Sequence, residues 1–425
     1  MKKFLAVLAV FTLIAGVAFA ETSLGGGFAY KAEIMKGDNI DGTDVQSGMG
    51  LVDGSLTARF SGDNWGGNLR FFAWPRKGWW QSYSAGPGGG TVYGKIWWKP
   101  IDQFRVQIGH NPDGDWDTQA IGGWGFTEGA QDFVAIDNWV VDNGALKTKL
   151  AGESDTDRDT RFDGYKEYFR IARQAGFSPK FDSIGITMSI YPADGVTINF
   201  GLPLTGGGHG DGSEALYRAM AYFNTNVGIQ IGDIGKANLS FVGGEGLMEN
   251  LKGNEKSAGT LYASFNLTKI ENLGVDLGVK FPLPYKKNDD KTYADGTSIG
   301  LGVKYASGDF GVKFRAGLQL PGTDKGDSDK TSMLGFNVLP YISLLDGKLT
   351  AYLNTGLSFY LTKDSSDDDF TITGWFVNPY VKVPVGSLTF FAGLQLYGEA
   401  WSNEGPNAGD PLFKWAVPIG FTVGF

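Results

Sequence analysis

The sequence predicts an all-β protein in which antiparallel strands close into a transmembrane barrel. Three observations support this fold class: hydrophobic and polar residues alternate along most of the chain, short turns alternate with long polar connections, and the composition favours strands. Glycine accounts for 65 of 425 residues and aromatic residues for 14%. Glycine weakens helices and aromatic residues prefer strands, so long helices are disfavoured.

The composition also excludes several classes of protein. Cysteine is absent and only two histidines occur, which excludes disulfide frameworks and thiolate metal sites and disfavours a histidine-rich metal centre. The formal net charge of −9 gives no support for nucleic-acid binding, which requires a basic surface. The sequence therefore predicts no cofactor, no metal and no nucleic-acid partner.

The first twenty residues predict a signal peptide that directs export. Lys2 and Lys3 precede an apolar run from Phe4 to Phe19, and Ala18-Phe19-Ala20 fits the small-x-small pattern of a cleavage site before Glu21. The alternative, a membrane anchor, is disfavoured because the run is short for a helical span. We expect residues 21–425 to form one barrel domain.

The alternation has a period of two residues, which is typical of strands with one apolar and one polar face. Between Leu261 and Leu267, for example, the odd positions are apolar and the even positions are polar. Successive side chains of a strand point to opposite faces. In a membrane barrel the apolar face contacts lipid and the polar face lines the lumen.

The connections predict how the strands are joined. Short turns are expected near residues 192–195, 233–236, 307–309, 345–348 and 384–387, and long polar linkers separate the other strand pairs. Short turns at one end and long loops at the other are typical of a transmembrane barrel. The segments number about eighteen, with sixteen as the alternative, and both termini are expected at the short-turn end.

Two further features concern strand ends and irregularities. Pro379 and Pro384 cannot donate to a strand ladder, so a β-bulge is expected between Val377 and Val385. Tryptophans close to strand ends predict an aromatic girdle at the membrane interface; they are Trp65, Trp74, Trp97, Trp98 and Trp415.

The carboxyl terminus carries a resemblance to a known family. Alternate residues from Trp415 to Phe425 are apolar, and the chain ends in phenylalanine. This resembles the last strand of bacterial outer-membrane β-barrel proteins, whose assembly machinery reads such a strand. The resemblance implies an outer-membrane location, contact with outer-membrane lipid, and an assembly signal that includes Phe421, Val423 and Phe425. The alternative is a soluble β-sandwich or lectin that ends in a buried edge strand.

The longest connection is predicted between His110 and Arg161 and is the third long loop. Its position and its acidic and aromatic content resemble the constriction loop that folds into the lumen of general porins. Basic side chains on the polar face of the preceding strands would stand opposite it and create a transverse field. The predicted lining residues are Arg59, Arg70, Lys95, Arg105, Asp113, Asp115, Asp117, Trp116 and Trp124. The alternative is a surface loop or a binding lid.

Other charges on the polar faces are mostly positive. They are predicted at Arg218, Lys280, Lys304, Lys313 and Arg315, with Asp276 as the acidic exception.

The resemblance to porins implies a water-filled channel for passive diffusion of small hydrophilic solutes and ions, and it implies a homotrimer. No enzyme is predicted, because neither histidine lies near a serine nucleophile motif. One alternative is a sugar-specific channel with an aromatic slide formed by Trp74, Trp79, Trp80, Trp97, Trp116 and Trp124. Another is a surface adhesin that binds through its extracellular loops.

Overall fold

The structure of the chain is a computed structural model. It describes residues 21–38, 42–44, 48–73, 90–110, 184–203, 223–243, 255–256, 259–287, 292–293, 297–320, 331–363, 368–399 and 412–425. The predicted signal peptide and most of the long connections therefore lie outside the described residues. Within the described part, a helix with the length and hydropathy needed to span a bilayer does not occur.

Eighteen antiparallel strands form the barrel. In chain order they are β1 (Glu21–Asp38), β2 (Gly48–Ser61), β3 (Trp65–Ala73), β4 (Gly90–Ile101), β5 (Phe104–His110), β6 (Ile184–Ala193), β7 (Val196–Pro203), β8 (Asn224–Ile231), β9 (Gly235–Gly243), β10 (Gly259–Leu267), β11 (Leu273–Pro282), β12 (Ser298–Ser307), β13 (Phe310–Gln319), β14 (Thr331–Leu344), β15 (Leu349–Lys363), β16 (Asp368–Val385), β17 (Leu388–Gly393 and Gln395–Glu399) and β18 (Leu412–Gly424).

The sheet closes because the first and last strands pair with each other. β1 pairs with β2 on one side and with β18 on the other, and every other strand pairs with its neighbours in sequence. The segment Gly42–Asp44 pairs with the end of β1, and a separate small sheet joins Glu255–Lys256, Tyr285–Lys287 and Thr292–Tyr293. Closure satisfies the backbone groups that an open edge would expose. The predictions of a closed all-β barrel and of about eighteen strands are confirmed.

The short turns lie at one end of the barrel, as predicted. Gly195 and Gly308 have φ angles of 76° and 56°, a left-handed conformation that glycine adopts without steric cost. The backbone N–H of Gly26 donates to the carbonyl of Phe425 at 2.8 Å. The described ends of β1 and β18 therefore lie together at the short-turn end.

The predicted bulge between Val377 and Val385 is wrong, because the register does not shift and Pro384 pairs regularly with Thr389. The partner strand is instead interrupted opposite Pro379. β17 is interrupted at Leu394, between its two segments. Leu394 lies opposite Pro379 and still donates its backbone N–H to the Pro379 carbonyl at 2.9 Å. Since proline has no N–H, it cannot return the second bond of the pair, and the ladder is broken at this point.

The alternation of exposure identifies the two faces of the barrel. Large apolar side chains at alternate positions, such as Phe71, Leu239 and Leu277, are exposed on the outer face. The positions between them carry polar side chains that are shielded inside the barrel, such as Asn199, Asn238 and Asp276. A soluble protein shows the reverse arrangement, and a membrane barrel shows this one.

The girdle prediction is wrong for Trp97 and stays a prediction for the other tryptophans, of which Trp74 lies outside the described residues. Trp65 pairs with Trp98 across β3 and β4 near the short-turn end, and Trp98 is exposed on the outer face. Trp97 precedes Trp98 in the same strand, so it points to the inner face. Trp97 therefore cannot belong to an outer girdle.

Candidate functional site

The candidate site is the inner wall of the barrel, beginning with the basic side chains of β2 to β5. Phe71 and Ile96 are exposed on the outer face. Their chain neighbours Arg70 and Lys95 therefore point inward, because successive residues of a strand face opposite sides. The same alternation places all four predicted basic residues on the inner face: Arg59, Arg70, Lys95 and Arg105. Their contribution to permeation stays a prediction.

Two of these cations lie in one row across neighbouring strands. Arg59 pairs with Asn68, and Asn68 pairs with Lys95; Ser23 of β1 continues the row on the other side of Arg59. Neighbouring strands are about 4.8 Å apart. The backbones of Arg59 and Lys95 are therefore separated by about 10 Å across the wall, a gap that both long side chains span.

A cavity of about 410 Å³ opens beside this row. It lies towards the short-turn end, since Arg59 is two residues from the end of β2 and Arg105 is the second residue of β5. Its lining includes three basic side chains and one carboxylate. The lining includes Glu21, Arg59, Asn68, Lys95, Trp97 and Arg105. The cavity therefore has an excess of positive charge.

Trp97 holds one of the cations in place. The Cζ atom of Arg105 lies 4.9 Å from the centroid of the Trp97 ring, a distance at which a guanidinium is attracted to the ring face. The indole in turn covers Gly66, where a Cβ atom would come within 2.7 Å of Cζ2 of Trp97. Gly66 therefore lets the indole lie against the wall, and the indole positions Arg105.

A chain of neutral polar side chains crosses β6 to β9. Ser189 Oγ donates to Asn199 Oδ1 at 2.6 Å, Asn199 Nδ2 donates to Asn226 Oδ1 at 3.0 Å, and Asn226 Nδ2 donates to Ser240 Oγ at 2.8 Å. Asn199 is 0% exposed. This part of the inner wall is shielded from water, whereas Arg59 and Arg70 are exposed.

Buried charges occupy the inner wall of β11 to β13. Asp276 and Arg315 are both almost completely shielded, and the Asp276 charge acts on the Arg315 guanidinium. The strand between them contributes Gly302, which pairs with both residues. Because glycine has no side chain, no side chain of the intervening strand lies between the two charged residues. Asn266 Nδ2 also donates to Asp276 Oδ1 at 2.5 Å.

Three tyrosines on β14 to β16 form an aromatic group on the inner wall, called here the tyrosine stack. The Tyr352 and Tyr380 ring centroids are 4.6 Å apart at an interplanar angle of 4°, and Tyr341 lies 5.7 Å from Tyr352. The ammonium groups of Lys313 and Lys382 lie 5.9 Å and 5.3 Å from the rings of Tyr341 and Tyr352. The Tyr341 ring leans over Gly311 of β13.

Several predicted residues lie outside the part of the chain that the structure describes. β5 includes His110, and the next described strand begins at Ile184. The third loop thus starts after His110, and its predicted residues Asp113, Asp115, Asp117, Trp116 and Trp124 are not described. Of the proposed aromatic slide only Trp97 is described, and its ring has Arg105 over one face and Gly66 beneath it. Within the described ranges, no group of three or more His, Cys, Asp or Glu residues is placed to hold a metal.

Sequence reasoning placed the inner charges on the polar face but missed their contacts. The Ser189–Ser240 chain, the Asp276–Arg315 pair over Gly302 and the tyrosine stack all depend on which residues of separate strands lie side by side. Alternation within a strand predicts which face of the sheet a residue occupies. It does not predict which residues of neighbouring strands lie side by side.

The comparisons with known proteins come from structure alone, since no family profile and no curated protein matches the sequence. OccK2 (OpdF) of Pseudomonas aeruginosa has a TM-score of 0.50 at 9% identity, covering 96% of this chain and 99% of that one. OccAB3 of Acinetobacter baumannii has a TM-score of 0.50 at 8% identity, covering 96% and 100%. The trimer form of OmpT, an outer membrane protein of Vibrio cholerae, has a TM-score of 0.42 at 9% identity, covering 96% and 99%. At these identities the similarity is one of fold, and the two structures with a TM-score of 0.50 confirm the predicted barrel class.

Proposed function

We propose that the chain forms a water-filled channel in the bacterial outer membrane for passive diffusion of small hydrophilic solutes and ions. One observation carries the proposal. The closed barrel of eighteen strands exposes apolar side chains on its outer face and directs polar and charged ones inward. Lipid tails solvate the first surface, and the second surface suits water and hydrated solutes.

The path that we propose runs along β2 to β5. Arg59 and Arg70 are exposed on this side of the lumen, whereas Asn199 and its neighbours on the β6 to β9 side are shielded. Exposed cations along a water column attract anions and repel cations. Diffusion of this kind requires neither a cofactor nor an energy source, and we propose no enzymatic role.

The third loop completes the proposal, although its residues lie outside the described ranges. We propose that Asp113, Asp115 and Asp117, with Trp116 and Trp124, face the basic wall and set the narrowest part of the channel. Deleting residues 113–124 should then raise the single-channel conductance. An unchanged conductance would place this segment outside the lumen.

The last strand supports a role in assembly. β18 closes the barrel against β1, and Phe421 contacts Phe390 of β17 with ring centroids 6.1 Å apart. We propose that Phe421, Val423 and Phe425 are recognised by the outer-membrane assembly machinery. Changing Phe425 to Ser should lower the amount of folded protein in outer membranes while leaving refolding into detergent unchanged. A homotrimer is also proposed, and crosslinking of protein extracted in mild detergent tests it.

Recordings from planar lipid bilayers test the function directly. Purified folded protein should produce stepwise increases in current, and heat-denatured protein should produce none. Liposomes that contain the protein should also swell in solutions of small sugars. Folded, membrane-inserted protein that gives neither current steps nor swelling would overturn the proposal.

A further inference from the structure

The cavity at the short-turn end has a feature that a wide charged pore does not need. Three cationic side chains, Arg59, Lys95 and Arg105, share a space of about 410 Å³, a volume in the range of small-molecule sites. Among the lining residues that the structure describes, Glu21 is the one acidic side chain. An anion in this space is therefore attracted from three directions.

One of the three cations is fixed in position before any solute arrives. Arg105 lies over Trp97, and Trp97 lies against Gly66. A guanidinium held over an aromatic ring keeps its N–H donors around its rim, where they match the two oxygens of a carboxylate or phosphate. A positioned donor loses less conformational entropy on binding than a mobile one.

The other two cations line the same space from β2 and β4. Arg59 and Lys95 project from one row, with Asn68 between them. Asn68 offers a neutral amide that accommodates any remaining polar atom of the solute. Glu21 partly offsets the positive charge, and this keeps binding weak enough for the anion to leave, as conduction requires.

We infer that this cavity is a saturable binding subsite for small oxyanions, carboxylates and phosphate alike, at the short-turn mouth of the channel. The inference rests on the proposed channel function and adds a location, a ligand class and a positioning residue to it. Arg59, Lys95 and Arg105 bind the anion. Trp97 acts through Arg105.

Single-channel conductance measured against salt concentration tests the subsite, with potassium acetate, potassium phosphate and potassium chloride as probes. The acetate and phosphate currents should saturate at lower concentrations than the chloride current. Arg59→Gln and Arg105→Gln should each raise the half-saturating concentration roughly tenfold, as expected for the loss of one charge-assisted hydrogen bond. If the current saturates at low concentration with only acetate or only phosphate, the inference that the subsite binds carboxylates and phosphate alike is wrong.

Lys304→Gln is the matched control, because Lys304 is an exposed inward cation on β12 and does not line the cavity. It should leave the half-saturating concentration unchanged. The positioning role of Trp97 has its own readout: Trp97→Phe should retain saturation, and Trp97→Ala should behave like Arg105→Gln.

Two failures are distinguishable. If the folded protein shows no conductance in any salt, the channel function fails and the subsite fails with it. If the protein conducts but Arg59→Gln and Arg105→Gln match Lys304→Gln, the subsite alone is wrong.

Discussion

Asn199 donates a hydrogen bond of 3.0 Å from Nδ2 to Oδ1 of Asn226 on the neighbouring strand, inside the barrel. Asn199 also accepts from Ser189, and Asn226 donates to Ser240. Each side chain of this chain satisfies another that is shielded from water. A polar group buried without its partner costs about 1–3 kcal/mol, so the contacts stabilise this side of the wall as a unit.

Asn199→Ala should destabilise the barrel by roughly 2–4 kcal/mol, because Ser189 Oγ and Asn226 Oδ1 both lose their hydrogen bond to Asn199. The free energy of unfolding in urea, measured in lipid vesicles by tryptophan fluorescence, checks this. Asn224→Ala is the control on the same wall, since Oδ1 of Asn224 has no hydrogen-bond partner within the described residues. Equal losses for the two variants would contradict the role of the chain.

Asp276→Asn should be costly because it removes a negative charge that acts on the buried Arg315 guanidinium. Breaking one side of a buried ion pair costs roughly 3–5 kcal/mol. The double variant Asp276→Asn with Arg315→Gln should recover part of that loss, and the same unfolding assay measures it. Strictly additive losses would show that the two groups do not interact.

Gly311→Ala should destabilise the barrel by about 1–3 kcal/mol, as overpacking does. A Cβ atom at Gly311 collides with the ring of Tyr341, which would then move away from the tyrosine stack. In a Tyr341→Ala background the same change should cost much less. Gly424→Ala is the control, because a Cβ atom there meets nothing within 4 Å; a similar loss at both glycines would refute the packing argument.

Ala263→Lys and Ser264→Lys form a matched pair in the middle of β10. Both replace a small side chain with lysine, but Ala263 is exposed on the outer face and Ser264 points inward, opposite Gly278. A lysine facing the middle of the bilayer costs about 2–4 kcal/mol, whereas Ser264 is partly exposed on the inner face, so a lysine there avoids transfer into lipid. Folding yields into lipid vesicles should therefore fall for Ala263→Lys alone. Equal yields would mean that the outer face does not contact lipid.

The sequence was sufficient to predict the barrel, its strand number and the face of each charge, because these follow from local alternation and turn composition. Trp97 is an example of a residue whose contacts cannot be predicted from local sequence alone. Its inward direction follows from alternation with Trp98, but its contact with Arg105 depends on the register between β4 and β5. The pairing of Asp276 with Arg315 likewise depends on Gly302 lying between them, which only the closed sheet fixes.

The central claim is that the outer face of the strands contacts lipid and the inner face of β2 to β5 contacts water, and the adjacent residues Arg70 and Phe71 test it most directly. Both are exposed, on opposite faces of β3, and the natural chain contains no cysteine. In membranes, Arg70→Cys should react with a charged, water-soluble thiol reagent, and Phe71→Cys should react only with a lipid-soluble maleimide. If the charged reagent labels Phe71→Cys as readily as Arg70→Cys, the account of the barrel as a lipid-embedded channel is contradicted.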